Sequence, residues 1–147
     1  YRGPVVASII KQFYSDVIWG NLDYLLIDMP PGTGDVPLTV YQSIPIDGVV
    51  MVTSPQNLVK MIVMKAVNMA SKMSVPLLGI IENYSYFKCE DCDRIYEIFG
   101  KSTAEKLAKE LNTTVIARIP IIPEVAQCED KGIPVTQDID MDFSNLL

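Results

Sequence analysis

Histidine is absent from this chain, cysteine occurs only three times, and no continuous apolar run approaches the length of a membrane span. Each shortage closes a route. A structural zinc site needs four ligands, and without histidine the three thiols cannot supply a full Cys/His set from one chain. Three cysteines are also no secreted disulfide framework in a chain of 147 residues, and they fit a reducing cytosol with metal or redox chemistry better. A helix crossing a bilayer needs about 20 apolar residues in a row, and none is present. Basic residues are scarce, 12 Lys and Arg against 18 Asp and Glu, for a net charge of −6. That balance argues against nucleic acid or an anionic membrane as partner, because phosphates demand a basic face. It leaves a nucleotide site open, where backbone amides and one or two cations suffice. The opening Tyr1-Arg2-Gly3-Pro4 is not built as a signal peptide. It also lacks an initiator methionine, so the chain is expected to enter mid-protein.

What is present is an ordinary globular balance, 49% hydrophobic and 20% charged, enough for one compact domain with a sizeable core. Apolar runs alternate with helical patterns. Tyr24-Leu25-Leu26-Ile27 ends at Asp28, and similar runs recur at 48–52, 77–81 and 115–119. Continuous runs of this kind read as strands buried on both faces, the habit of parallel sheets. Between them, Met61, Ile62, Ala66, Met69, Ala70 and Met73 keep helical spacing, as do Ala104, Leu107, Ala108 and Leu111. Ser102 with Glu105 fits a capping box. Helices are also expected over 5–16, 36–43 and 124–130. The methionines read as core filling. Strand–helix–strand repetition predicts an α/β fold, a mostly parallel sheet flanked by helices. The acidic stretch 135–147 is expected to be a loosely held extension of a domain spanning 1–134.

In such sheets ligands bind outside the carboxyl ends of the strands. A carboxylate at Asp28 suits a Walker-B task, ordering Mg²⁺ beside a nucleotide's phosphates. The following Pro30-Pro31-Gly32-Thr33-Gly34-Asp35 combines stiff prolines with glycines that let backbone approach a ligand. It is built as a phosphate-sensing switch would be. A plain reading, an Asp capping a strand before a helical turn, stands beside it.

The segment 22–35 closely resembles the signature of the Mrp/ApbC family, MinD-like ATPases with a deviant P-loop that carry iron–sulfur clusters. The likeness runs from Arg2-Gly3-Pro4 to Gly132-Ile133-Pro134. It includes Val52-Thr53-Ser54-Pro55-Gln56, the stretch 79–87 around Glu82-Asn83-Tyr84-Ser85, Cys89-Glu90-Asp91-Cys92 and Ile98-Phe99-Gly100. The resemblance implies a MinD/SIMIBI-type P-loop NTPase fold, present in part. It makes Asp28 the Walker-B residue and Gly32, Thr33, Gly34 and Asp35 the switch, with Asp28 and Asp35 as catalytic carboxylates. It makes Asn83 and Pro120 the holders of the adenine base. The Asn83 carboxamide can donate and accept towards the base edge; its plainer alternative is a turn former after a strand. The family usually has Met where Tyr84 stands.

A P-loop needs Gly-x-x-x-x-Gly-Lys-Ser/Thr. Gly100-Lys101-Ser102-Thr103 ends like one, but Ile95 occupies the first glycine's place and Tyr96-Glu97-Ile98-Phe99 cannot fold around phosphate. The family's deviant P-loop lies well upstream, so the expectation is the C-terminal portion of a longer ATPase, with these residues alone inactive in hydrolysis.

Cys89 and Cys92 form a CxxC pair among acidic neighbours, Glu90, Asp91 and Asp93. A thioredoxin-like redox pair wants cations or a helix N-terminus beside the thiols, which these acids oppose. Two thiolates make half of a metal or cluster site. A second copy about a two-fold axis would complete it, four thiolates then holding one [4Fe–4S] cluster. The resemblance implies the same homodimer, with a labile cluster passed to recipient apoproteins. Zinc in the same thiolates remains open. Where the family often has Cys-Pro-x-Cys-Gly, Glu90 and Asp93 stand instead, so a looser turn is expected. Cys128 reads as a packed small hydrophobe. The functional expectation is a cytoplasmic iron–sulfur cluster scaffold or carrier governed by ATP. Its rivals are a MinD-like partitioning ATPase with structural cysteines, or a non-catalytic interaction module.

Overall fold

The computed structural model describes residues 3–89, 91–135 and 141. The expected extension at 135–147 therefore lies almost wholly outside the described residues. A helix α1 (Gly3–Ser15) and a second, α2 (Asp35–Ser43), precede strand β1 (Val49–Thr53) and the long helix α3 (Asn57–Lys72). Strand β2 (Leu77–Glu82) follows, then two short strands, β3 (Phe87–Lys88) and β4 (Ile95–Tyr96), helix α4 (Ala104–Glu110), strand β5 (Val115–Arg118) and helix α5 (Pro123–Lys131).

Three strands form the main sheet in the order β1-β2-β5, both pairings parallel. Each parallel step is bridged by a segment that carries a helix, α3 or α4, as parallel pairing requires. β3 and β4 make a separate antiparallel hairpin, Phe87 opposite Tyr96 and Lys88 opposite Ile95. The α/β architecture, a parallel sheet flanked by helices, is as the sequence predicts.

The core lies between the sheet and α3 with α4. Met51 and Ile80 from the strands meet Val63, Val67 and Ala70 of α3 and Leu107 and Ala108 of α4. Ile80 and Leu107 are almost fully buried, each worth roughly 1.5–3 kcal/mol of apolar transfer. A Cβ on Gly79 would come within 2.5 Å of the Ile116 side chain, so the missing side chain lets β2 and β5 pack this closely. Lys60 and Glu110 bridge α3 to α4 at 3.1 Å.

Three expectations need correction. The run Tyr24–Ile27 is not a strand; it has no ladder partner among the described residues, and Leu26 is 92% exposed. An apolar run becomes a strand only when a neighbour accepts its backbone bonds, and no described strand pairs with it. β1 is buried on one face only: Met51 and Thr53 are covered, whereas Val52 is open to solvent. The helix starting at 104 departs from its expected cap. Thr103 is the N-cap residue without a side-chain cap bond, and Ser102 Oγ accepts weakly from the Ala104 N–H at 3.4 Å.

Candidate functional site

The parallel strands end in register. Thr53 pairs with Glu82, and Glu82 with Arg118, so three polar residues line up across the carboxyl edge of the sheet. This is the edge at which open α/β sheets bind ligands. A cavity of about 370 Å³ opens there, lined by residues of 52–59 together with Asn83, Tyr84 and Phe99. Its floor is the end of β1 and its far wall is aromatic, the Tyr84 and Phe99 rings lying 6.1 Å apart and tilted.

Asn83 belongs to this cavity and also shapes the turn that follows β2. Its N–H donates to Thr53 O at 2.8 Å, stitching the turn to β1. Its Oδ1 accepts from the Tyr84 N–H at 2.9 Å. That local bond supports Tyr84 in the left-handed region, φ 53°, which a bulky residue adopts only when held. Asn83 is thus a turn former, as one reading has it, and it also lines the cavity. Pro120 does not line the cavity. It sits between Ile119, whose N–H donates to Glu82 O, and Ile121, whose N–H donates to Tyr86 O, so it rides on a loop fastened to the same turn.

Asp28 is exposed, in irregular chain. Gly32 has φ 92°, a conformation that favours glycine. Gly34 is the N-cap of α2 and Asp35 its first residue. Asp35 reaches back to α1: a Cβ on Gly3 would lie 2.8 Å from Asp35 Oδ2, so a side chain there would push the carboxylate aside. The Thr39 hydroxyl donates to Asp35 O at 2.7 Å. Asp28 and residues 32–35 are not among the residues lining the cavity. The structure therefore brings Asn83 to a cavity and leaves the predicted phosphate-facing group apart from it.

The thiols lie at the tip of the β3–β4 hairpin. Cys89 is half-buried, Cys92 is exposed, and neither is in a disulfide. The tip is closed by Cys89 N–H donating to Arg94 O at 2.9 Å and Asp93 N–H donating to Cys89 O at 3.0 Å. Asp93 takes the φ of 54° that the turn demands, at the position where glycine would be easiest. Lys88 Nζ pairs with Asp93 at 2.8 Å across the base of the tip. The hydrogen bond and then the charge of Lys88 hold the Asp93 carboxyl below its ordinary range, and the same pairing raises Lys88. The cation nearest the thiols in sequence is therefore engaged by a carboxylate. Among the described residues no third Cys, Asp or Glu joins the pair in a metal-holding group. Cys128 stands apart on α5, half-buried.

Sequence reasoning missed a buried polar group beneath this hairpin. Glu82 is fully buried, its Oε2 accepting from the Ser85 hydroxyl at 2.6 Å and its Oε1 from the Thr103 N–H at 3.2 Å. Arg118 Nε donates to Ser85 Oγ at 3.0 Å and lies 3.6 Å from Glu82 Oε2. The one available signal was a glutamate ending an apolar run.

Comparison with known proteins adds to this geometry. A family model described as ParA, NUBPL iron-transfer P-loop NTPase, matches residues 1–145. The chain belongs to this family. An iron–sulfur cluster carrier protein of Methanocaldococcus jannaschii is 50% identical over 136 residues, which cover 92% of this chain and 47% of the relative. One of Haemophilus influenzae is 42% identical, over 91% of this chain and 36% of the relative. Among solved structures, a nucleotide-binding protein from Archaeoglobus fulgidus in complex with ADP superposes with a TM-score of 0.83 at 41% identity, covering 92% of this chain and 56% of that one. The chain thus spans about half the length, or less, of the relatives it matches. Among the described residues no helix is long and apolar enough to cross a membrane.

Proposed function

We propose that this chain is part of an iron–sulfur cluster carrier in which Cys89 and Cys92 of two copies together hold a [4Fe–4S] cluster for delivery to recipient apoproteins. The observation that carries the reading is the hairpin tip: one exposed and one half-buried thiol, outside any disulfide, in a member of an iron-transfer family. Two thiolate donors per chain match half of the four that such a cluster takes. An isologous contact about a two-fold axis would set identical hairpins face to face. Thiolates at a surface tip can also be reached by an incoming acceptor. Zinc would fit the same four sulfurs after aerobic handling.

Nucleotide is the second ligand of the reading. Asn83 would hold the base in the cavity at the end of β1, with Pro120 on the adjoining loop. Asp28 would order Mg²⁺ through water, and Gly32, Thr33, Gly34 and Asp35 would follow the terminal phosphate. These 147 residues hold no Gly-x-x-x-x-Gly-Lys-Ser/Thr cradle, so ATP binding and hydrolysis would need one supplied by a longer protein. Their part would be to shift the two copies and change the hold on the shared cluster. The reading places this work in the cytoplasm, where thiols stay reduced.

Anaerobic reconstitution of the full-length protein tests the reading. Iron and sulfide are expected in equal amounts in the wild type and at background in Cys89→Ser and Cys92→Ser. Unchanged iron in either variant would remove the thiol pair from the site.

A further inference from the structure

The chain leaves the main sheet after Glu82, runs out through the thiol hairpin, and returns at Thr103 to begin α4. One carboxylate holds both ends of that excursion. On the outgoing arm it accepts from the Ser85 hydroxyl, and on the returning arm from the N–H of Thr103, 21 positions after Glu82 itself. Both bonds meet a side chain with no solvent exposure, where a charged acceptor strengthens them and an unmade bond is costly. Arg118 completes the group from β5, donating to Ser85 and lying 5.9 Å from the centre of the Tyr86 ring.

The hydrogen-bond directions leave little freedom. Arg118 donates to Ser85, Ser85 donates to Glu82, and Thr103 donates to Glu82. A carboxylate accepts at both oxygens, whereas a carboxamide accepts at one and donates at the other. With Gln at 82, either Thr103 N–H or the Ser85 hydroxyl loses its acceptor. β3 and β4 are two residues each, and the outgoing arm is otherwise tied to the loop after β5, Ser85 N–H donating to Ile119 O and Ile121 N–H donating to Tyr86 O.

We infer that Glu82 is a positioning residue for the thiol pair. It clasps the two arms of the excursion against the sheet, and so sets where Cys89 and Cys92 stand. The inference rests on the carrier reading for its consequence, the retention of a cluster, but the clasp itself is a property of the metal-free chain. Its position beside Asn83 also makes it the structural link between the cavity wall and the hairpin.

The test compares full-length wild type, Glu82→Gln and Ser85→Ala with Val63→Ala, a core change on α3 away from the clasp. After anaerobic reconstitution, the half-time of iron loss to a ferrous chelator is measured, with the urea midpoint of each protein alongside. Glu82→Gln and Ser85→Ala are expected to lose iron about tenfold faster than wild type, the equivalent of one charge-assisted hydrogen bond. Val63→Ala is expected to keep the wild-type half-time despite a lowered urea midpoint. Equal half-times in all four proteins, or loss from Val63→Ala as fast as from Glu82→Gln, would overturn the inference. Should Glu82→Gln not fold, Ser85→Ala, which keeps the charges, carries the comparison. Deuterium uptake in the metal-free proteins is an independent measurement. It should rise together over 83–89 and 97–103 in the clasp variants and not in Val63→Ala; no rise on either arm sinks the clasp. A wild type that takes no iron would instead count against the carrier reading and leave the exchange result to decide the clasp.

Discussion

The segment around Asp28 and the hairpin around Cys89 carry motifs of similar clarity, yet the fold treats them differently. The hairpin is fastened at its tip by Lys88 and Asp93 and at its root by Glu82, all within or beside the same excursion. The Asp28 segment has no ladder neighbour among the described residues, and Tyr24 and Leu26 face solvent. A motif whose supporting bonds lie close by in the fold arrives formed. A motif that needs a strand alongside it does not form from its own residues. The comparison also separates the two candidate groups, since the thiols stand on a hydrogen-bonded hairpin and Asp28 lies exposed in irregular chain.

The largest way to press on this contrast is to loosen the packed side. Leu107→Ala removes a side chain 1% exposed, packed between α4 and the sheet one turn after Thr103. It should cost about 2–5 kcal/mol in urea unfolding; a loss below about 1 kcal/mol would mean that α4 is not a firm anchor for the returning arm. On the other side, Asp28→Ala should leave the urea midpoint nearly unchanged, within about 0.5 kcal/mol, because the residue is exposed. A large loss there would show that the segment is packed after all, and would erase the contrast.

The smallest effect concerns the exposed pair at the hairpin tip. A carboxyl depressed in the folded state contributes fully above its ordinary value, 3.8 for Asp93, and the contribution is lost as pH falls through the lower folded value. Lys88 works in the opposite sense, complete below 10.5 and lost as pH rises through its raised folded value. The chemical shift of the Asp93 amide should therefore step on the acid side, as its carboxyl takes up a proton below 3.8. Asp93→Asn should remove the acid-side step. A step that persists in that variant would assign it to another carboxyl.

Much of the fold was legible because its signals are local. The runs at 48–52, 77–81 and 115–119 became β1, β2 and β5, and the spacing of Met61 to Met73 became α3. Tyr24–Ile27 carried the same signal and failed, since a run of apolar residues states a preference and not the presence of a partner. The hairpin strands escaped notice because two residues show no period. Ser102 and Glu105 suggested a local cap, while the Thr103 N–H is satisfied by a carboxylate from 21 positions away. Distance also hid Glu82, whose partners are Ser85 in the next turn, Thr103 before α4 and Arg118 of β5. Of the candidate site, the thiol pair and Asn83 could be named from sequence; the cavity and its aromatic wall depended on how β1, β2 and the hairpin return meet.

The carrier reading stands on one chain owning half of a sulfur cage and a second copy owning the rest. Native mass spectrometry of the anaerobically reconstituted full-length protein weighs both halves at once. A dimer carrying one [4Fe–4S] cluster is expected, dissociating into metal-free monomers when Cys92 is replaced by serine. A monomer holding a complete cluster, or intact thiols that hold no iron, would contradict it.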